Sequence, residues 1–297
     1  MILDEIAEKT RVRVEERKRS VPLEMLQNEA EQLDRKQRET GMPHDRRKIA
    51  AVSGERQEEA GVSVQMPEKT NSVNRSFRFE QSLRTPGLSF ICEVKKASPS
   101  KGVIAEEFPY LEIAKEYEMA GASAISCLTE PYYFQGQDTY LKEIAGEVGI
   151  PVLRKDFTVD PYMIYEAKLL GASAVLLICA ILTDRELRSY RELAERLGMS
   201  ALVEAHSEEE VRRAMECGSK IVGVNNRDLK TFEVDIRNSI RLRPLVPDTC
   251  VFVSESGIRS EEDMKALYEN GTDAVLIGET LMRAADKKAM IERLRRG

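Results

Sequence analysis

The sequence contains no tryptophan and only two histidines, His44 and His206, among its 297 residues. Its five cysteines are widely spaced, and no two of them form a Cys-x-x-Cys pair. Zinc and redox sites are usually built from such pairs or from clusters of cysteine and histidine. We therefore predict no metal site, and we interpret the cysteines as small buried side chains with reduced thiols.

Long apolar runs and a strong excess of one charge are also missing. The longest apolar run, residues 174–182, is too short to cross a bilayer. The formal net charge of -6 gives no basic footprint of the kind that binds nucleic acid. The N-terminal sequence lacks the basic start and apolar core of a secretory signal. We expect a cytoplasmic protein with neither a nucleic-acid partner nor a membrane partner.

A carboxylate and an ammonium interrupt the first strongly apolar strand, at Glu93 and Lys95. Side chains alternate between the two faces of a strand, so Ile91, Glu93 and Lys95 share one face. Desolvating two charges costs several kcal/mol, by rough estimate, even when they are paired. Such a cost is best explained by a function, so this strand end is a candidate active site.

The same pattern of an apolar strand with a polar end recurs along the chain. Three further strands end in Lys155, in Glu204 and in the run 254–256, and four more follow glycines placed to end a helix. These glycines are Gly121, Gly171, Gly218 and Gly271. Amphipathic stretches with apolar residues at helical spacing lie between the strands. Because eight parallel strands that alternate with helices close into a barrel, we predict an α/β fold, a (β/α)8 TIM barrel, over residues 87–297.

In a barrel of this class the active site lies at the carboxyl ends of the strands. The polar strand ends therefore converge on one mouth, and they are Glu93, Lys95, Lys155, Glu204, Asn225 and Ser256. Considered singly, Lys155 could be a surface charge, and Glu204 could cap a helix that begins near Ser207. Their convergence favours a catalytic site.

The first 86 residues have a different composition. A helix is predicted over residues 2–18, and a stretch at about 27–74 is rich in charged and amide side chains and poor in aromatics. This composition is typical of mobile segments, because little apolar surface is available to offset the entropy of ordering. We interpret residues 1–86 as a helical N-terminal extension with a polar insert, which could cap either end of the barrel.

Seven motifs, in order along the chain, resemble the indole-3-glycerol phosphate synthase family of tryptophan biosynthesis. The motifs are Glu93-Val-Lys95-Lys-Ala-Ser98-Pro-Ser-Lys-Gly102, Tyr133-Phe134-Gln-Gly136, Leu153-Arg-Lys155-Asp-Phe157, Val203-Glu204, Asn225-Asn-Arg227-Asp-Leu229, Ser254-Glu-Ser256-Gly257-Ile258 and Ile277-Gly278-Glu-Thr-Leu-Met282. The first helix and Val21-Pro22-Leu23 are similar to the N-terminal extension of that family. The polar insert is longer than is usual in the family.

The resemblance implies a lyase without cofactor or metal, acting on the small phosphorylated substrate 1-(2-carboxyphenylamino)-1-deoxy-D-ribulose 5-phosphate. The aromatic ring attacks the ketose carbonyl, carbon dioxide leaves, and dehydration gives indole-3-glycerol phosphate. By resemblance, Lys155 is the general acid, Lys95 holds the substrate carboxylate, and Glu204 is the base for the dehydration. Glu93 would orient the lysines, and Asn225 would orient the substrate. A second ammonium near Lys155 is expected to lower its pKa.

The resemblance also implies residues that bind the substrate. Phe134 and Phe157 would stack on the anthranilate ring, and Arg227 would stabilise the charged network. Backbone N–H groups and hydroxyls in the loops after the first, seventh and eighth strands would bind the phosphate. The residues of this phosphate site are Ser98, Ser256, Gly257, Gly278 and Glu279.

Two other functions compete with this interpretation. Another phosphate-binding barrel enzyme, such as phosphoribosylanthranilate isomerase, would be expected to use a cysteine and an aspartate instead of lysines and glutamates. A non-catalytic binding or assembly protein would be expected to have lost at least one of Lys95, Lys155 or Glu204, and the sequence keeps all three. We expect a monomer or a weak homo-oligomer.

Overall fold

A closed barrel of eight parallel strands forms the centre of the molecule. The computed structural model describes residues 2–40, 77–228 and 231–297. The strands are β1 Ser89–Val94, β2 Ala124–Leu128, β3 Val152–Lys155, β4 Ala174–Ile178, β5 Ser200–Ala205, β6 Ile221–Asn225, β7 Val251–Glu255 and β8 Ala274–Ile277. Strand β1 closes the barrel by pairing with β2 on one side and with β8 on the other. The predicted (β/α)8 barrel is confirmed.

Helices cover the outside of the barrel between successive strands. They are α4 Tyr110–Met119, α5 Asp138–Glu147, α6 Pro161–Leu169, α7 Asp184–Arg196, α8 Glu208–Glu216, α9 Arg237–Leu242, α10 Glu261–Glu269, α11 Glu279–Arg283 and α12 Lys287–Leu294. Gly121 and Gly171 have φ values of 82° and 89°, in the left-handed region that glycine adopts without strain. This conformation ends the preceding helix and turns the chain into the next strand, as the sequence predicts.

The alternation of side chains divides the apolar core into two clusters. Ile91, Leu153, Leu202 and Val253 point into the barrel, where they form one buried cluster. The neighbouring positions on each strand point outward and pack against the helices in a second, larger cluster. The inner cluster fills the lower part of the barrel, so polar groups have room only at its upper, carboxyl end.

The N-terminal extension contributes to both ends of the barrel. Its helices are α1 Ile2–Ser20, α2 Leu23–Thr40 and α3 Arg78–Leu83. Phe79 and Leu83 of α3 are buried in the inner cluster beneath the strand starts, where the Ser200 hydroxyl accepts the N–H of Glu80 at 3.3 Å. Leu3 and Ile6 of α1 join the same cluster at the mouth. The sequence did not decide which end of the barrel the extension caps, and in the structure the extension contacts both ends.

The first part of the predicted polar insert, residues 27–40, is helical. Residues 27–40 are the second part of α2, which packs against α6. Ala30 is fully buried there, and Asp34 pairs with Lys168 of α6 at 2.9 Å. The composition of residues 27–40 is polar because one face is in solvent, while the few apolar side chains on the other face find a partner. The rest of the predicted insert, residues 41–74, lies outside the described residues.

Other expectations concern the cysteines and the boundary at residue 86. All five cysteines are buried and free, which confirms their interpretation as small core side chains. Helix α3 precedes the predicted boundary and yet fills the barrel interior, so the division at residue 86 stays a prediction. No helix in the described part of the chain is long and apolar enough to cross a membrane.

Candidate active site

One layer of polar side chains closes the interior of the barrel at its carboxyl end. Four of these side chains lie two positions beyond an apolar residue that points inward, and Asn225 lies two positions beyond Gly223, so strand geometry alone carries each of them into the mouth. The layer consists of Glu93, Lys155, Glu204, Asn225 and Glu255. All three carboxylates of the layer are buried, and its one ammonium is largely buried.

A cavity of about 510 Å³ lies above this layer. It brings together all thirteen residues that the sequence analysis placed in the site. They are Lys155, Glu204, Lys95, Glu93, Asn225, Ser98, Phe134, Phe157, Arg227, Ser256, Gly257, Gly278 and Glu279. Their convergence agrees with the sequence analysis, while the role of each stays a prediction.

Lys155 is the central cation of the polar layer. Its Nζ lies 2.6 Å from Oε2 of Glu204 and 2.9 Å from Oε2 of Glu255. Burial alone lowers the pKa of Lys155, but the two carboxylates outweigh burial and raise that pKa well above its usual range. The expectation that a neighbouring ammonium lowers this pKa is therefore wrong, because the nearest charges are negative.

Glu204 is the better supported of the two carboxylates that contact Lys155. Its Oε1 accepts a hydrogen bond from the Asn225 amide at 3.3 Å, and Nε2 of His206 lies 3.4 Å away. Burial raises the pKa of Glu204, but Lys155 and then His206 outweigh burial and bring that pKa to about 2. Glu204 is therefore a carboxylate at neutral pH.

Glu255 is a site residue that the sequence analysis missed. Burial and the nearby charge of Glu204 raise its pKa to about 7, against the attraction of Lys155. Gly223 on β6 makes room for it, because a Cβ at that position would overlap Oε1 of Glu255. The signal was present in the sequence, since Val251, Val253 and Glu255 share one face of a strand just as Ile91 and Glu93 do.

Glu93 and Lys95 form an ion pair beside this central group. Oε1 of Glu93 accepts a hydrogen bond from Nζ of Lys95, and both side chains are largely buried. Gly278 lies against the pair, and a Cβ at that position would overlap Glu93 and come within 2.9 Å of Nζ of Lys95. The close approach that requires glycine at 278 is therefore to this ion pair.

An apolar wall forms one side of the cavity. The rings of Phe134 and Phe157 lie with their centroids 6.1 Å apart and their planes at 43°. The side chains of Leu3 and Ile6 from α1 lie in the same cluster, which the sequence analysis did not anticipate. The buried carboxylate of Glu130 fixes the loop that carries Phe134, by accepting its N–H at 3.0 Å. The wall is therefore preformed.

The opposite side of the cavity is formed by the loops after β1, β7 and β8. Ser256 and Gly257 both have left-handed φ values, 70° and 83°, which turn the chain sharply after β7. The Glu279 carboxylate pairs with Lys101 at 3.7 Å and Arg283 at 3.1 Å. Because that carboxylate is negative and already paired, its backbone N–H is the group that suits an anion.

These features together define what the cavity can bind and do. An ammonium between two carboxylates of different basicity provides both an acid and a base within one layer. The apolar wall suits a flat ring, and the loops across from it are cationic, since they carry Lys101 and Arg259, and so suit an anion. Among residues 2–40, 77–228 and 231–297, no three His, Cys, Asp or Glu side chains are arranged so that they could hold a metal ion.

Comparisons with known proteins agree with this description. A solved structure of 3-hexulose-6-phosphate synthase from Salmonella typhimurium matches 70% of this chain and 97% of its own, with a TM-score of 0.59 and 15% identity, which supports the barrel fold alone. A curated indole-3-glycerol phosphate synthase from Ruminiclostridium cellulolyticum is 52% identical over 99% of both chains. Another, from Lachnoclostridium phytofermentans, is 48% identical over 99% of both chains. The family model for indole-3-glycerol phosphate synthase matches residues 39–294. The chain therefore belongs to the indole-3-glycerol phosphate synthase family.

Proposed function

We propose that this chain converts 1-(2-carboxyphenylamino)-1-deoxy-D-ribulose 5-phosphate into indole-3-glycerol phosphate, carbon dioxide and water. It would do so as a carboxy-lyase without a cofactor, in tryptophan biosynthesis. The observation that carries the proposal is the position of Lys155, which lies between two carboxylates on the floor of the cavity. The apolar wall and the cationic loops stand on either side of that floor.

The first half of the reaction needs a proton donor at the ketose carbonyl. As the ring carbon attacks, the carbonyl oxygen gains negative charge, and Lys155 donates a proton to it. The raised pKa of Lys155 ensures that the proton is present in every molecule at neutral pH. Lys95 pairs with the substrate carboxylate until that group leaves as carbon dioxide. Glu93 holds Lys95 in place through their hydrogen bond.

The second half of the reaction needs a base and again an acid. Glu204, ionised at neutral pH, takes a proton from the ring-closed intermediate. Lys155 regains the proton that it gave to the carbonyl from Glu255, 2.9 Å away, and then protonates the hydroxyl, which leaves as water. Asn225 links Glu204 to Arg227, because its amide donates to Glu204 and its side-chain oxygen accepts the backbone N–H of Arg227. Arg227 lines the cavity beside this group and adds a positive charge to it.

The two ends of the substrate would bind on opposite sides of the reacting atoms. The anthranilate ring stacks against Phe134 and Phe157, while the phosphate lies against Ser98, Ser256 and Gly257. Backbone N–H groups at Gly278 and Glu279 complete the phosphate site. Anchoring both ends fixes the ring carbon next to the carbonyl, which removes much of the entropic barrier to ring closure.

The proposal is tested by following indole fluorescence with the carboxyphenylamino substrate. The protein as it stands should form product, and Lys155→Met should lower turnover by about two to four decades, the usual range for removal of a positioned acid. Lys142→Met, a change on the outer helix α5, serves as the matched control and should keep full turnover. Absence of product from the unmodified protein would refute the proposal, and near-normal turnover of Lys155→Met would remove Lys155 from the mechanism.

The isomerase alternative is less compatible with the cavity. Its expected cysteine acid is missing there, because none of the described residues that line the cavity is a cysteine. An isomerase would also release no carbon dioxide, so trapping of labelled carbon dioxide separates the two reactions. A binding protein without catalysis would give neither product.

The location and the assembly of the protein are also proposals. We propose that it acts in the cytoplasm. We also propose that it is a monomer or a weak homo-oligomer, since the proposed catalytic groups all come from one chain. Sedimentation velocity over a range of concentrations would test this, and a stable large oligomer at the lowest concentration would contradict it.

A further inference from the structure

His206 lies directly behind Glu204, outside the lining of the substrate cavity. Its ring is mostly buried, with 13% of the side chain exposed. Nδ1 lies 3.2 Å from Oε2 of Glu210 on α8, and the backbone N–H of His206 donates to the same oxygen at 2.7 Å. Nε2 points the other way and lies 3.4 Å from Oε1 of Glu204. The imidazole therefore stands between two carboxylates.

The surroundings favour a proton on both ring nitrogens. Nδ1 faces a carboxylate and so carries a hydrogen, which means that an unprotonated Nε2 would direct a lone pair at Glu204. Nε2 is fully buried and has no hydrogen-bond partner in the described part of the chain, so no other donor relieves that repulsion. A protonated imidazole removes it.

The charged groups around His206 come from several elements. Glu204 is on β5, Glu210 on α8 and Glu255 on β7, while Lys155 on β3 is the cation beyond Glu204. Three carboxylates and only one ammonium thus lie near the imidazole, and this excess of negative charge favours a positive charge on His206. Burial alone lowers the pKa of His206, but these carboxylates outweigh burial and raise that pKa above its usual value.

The two carboxylates that share Lys155 differ in their remaining contacts. Glu204 has the Asn225 amide and the imidazole of His206 near its other oxygen. Oε1 of Glu255 is buried and has no hydrogen-bond partner among the residues that the structure describes. Glu204 therefore has more hydrogen-bond donors and more positive charge near it than Glu255 has. His206 is the source of the additional positive charge.

We propose that protonated His206 is a positioning residue that keeps Glu204, and not Glu255, as the ionised partner of Lys155 and hence as the base. The inference rests on the proposed function, in which Glu204 removes a proton. His206 acts through Glu204 and does not touch the cavity. Lys155 already carries its proton and Glu204 is ionised, so a further proton in this layer is held by Glu255.

The chain allows a direct measurement, because it has only two histidines. In the His44→Gln variant, nitrogen-15 labelling of histidine reports His206 alone. We expect both ring nitrogens to be protonated at pH 7, and Glu204→Gln on this background to lower the pKa of His206 by about one unit or more. An Nε2 without a proton at pH 7, or an unchanged pKa after Glu204→Gln, would overturn the proposal.

Kinetics supply the functional measurement. His206→Gln keeps a side chain that can donate a hydrogen bond but removes the charge, so the pKa of Glu204 should rise. We expect the acid limb of the kcat profile to move to higher pH by about one unit, so that kcat measured on that limb falls by about tenfold with KM within about twofold. Glu210→Gln is the matched variant, and it should move the limb in the same direction by less.

A purely structural role for His206 predicts a different result. In that case His206→Gln would have a lower melting temperature and an unchanged acid limb of the kcat profile. This result would contradict the proposal. The proposed function and this inference fail in different experiments. If the unmodified protein forms no product, the proposed function is wrong, while the nitrogen-15 measurement still reports the protonation of His206. An active protein with a neutral His206 contradicts only this inference.

Discussion

Glu204 and Glu255 have almost the same distance to Lys155 and yet opposite pKa shifts. The pKa of Glu204 is lowered by Lys155 and His206 in spite of burial, whereas burial and Glu204 raise the pKa of Glu255. Two carboxylates around one ammonium cannot both ionise freely at low dielectric. One ionised and one protonated carboxyl is the combination that serves as base and proton store in a single layer.

The assignment of Glu204 to the dehydration leads to a prediction about single steps. Glu204→Gln should leave the first half of the reaction largely intact, because Lys155 still donates to the carbonyl. The release of carbon dioxide in a single turnover should therefore survive better than the appearance of indole fluorescence. Rapid quench with labelled substrate measures both. Equal loss of the two signals would assign Glu204 to ring closure instead.

Residues in the site were predictable when strand alternation was followed consistently. Glu93, Lys155 and Glu204 were found in this way, because each continues an apolar inward face. Glu255 was missed although Val251 and Val253 indicate its direction, since the run 254–256 was interpreted as small polar residues. The direction of the Lys155 pKa shift depends on which charge is nearest in space, and sequence spacing does not supply that.

At the scale of elements, α1 is attached to the site by a buried ion pair. Nη2 of Arg13 donates to both carboxylate oxygens of Asp156, at 2.9 and 3.0 Å. Asp156 is fully buried, follows the proposed acid Lys155 directly, and also accepts the Thr129 hydroxyl at 2.6 Å. The helix that closes the mouth is therefore linked to the end of β3.

This link predicts a defined effect of replacing Arg13. Arg13→Met removes the closer of the two guanidinium groups beside the buried Asp156 and leaves only Arg154, at 3.8 Å. Breaking a buried pair costs up to about 3–5 kcal/mol. We expect a clearly lower melting temperature and a KM raised several-fold, because Leu3 and Ile6 then cover the apolar wall less well. Arg11→Met is the matched control, since Arg11 is exposed and pairs with Glu8 at 3.5 Å on the surface. Equal melting temperatures of the two variants would show that the buried pair is not what holds α1.

Elements with a regular spacing of apolar residues were predictable. An element that is stabilised by packing against a distant part of the chain was not. The eight strands and the glycines between them follow from local sequence, because each strand carries its own apolar run. Residues 27–40 were interpreted as part of a polar insert, yet they form helix. Their few buried side chains are matched by α6, more than a hundred residues away, and composition cannot show such a match.

At the scale of the whole molecule, the barrel must bury the charges that it needs. The inner cluster fills the lower barrel with apolar side chains, and the polar layer above it has little solvent. Stability and function therefore compete in the same volume, as expected for a preorganised site. The pH dependence of unfolding reports this competition, because the folded barrel holds protons differently from the unfolded chain.

Glu255 makes this pH dependence measurable. Its pKa is raised from 4.5 to about 7 by burial and by Glu204, so between these values the folded protein keeps a proton that the unfolded chain releases. The contribution of Glu255 to stability is thus fully present below about pH 4.5 and is lost as the pH rises through 7. We expect the melting temperature of the unmodified protein, minus that of Glu255→Gln, to fall steadily from pH 5 to pH 8. Subtracting the variant removes the shared contributions of Glu204 and His206 to first order. A difference that is flat or that rises with pH would mean that Glu255 is ionised in the folded barrel, and that Lys155 balances both carboxylates.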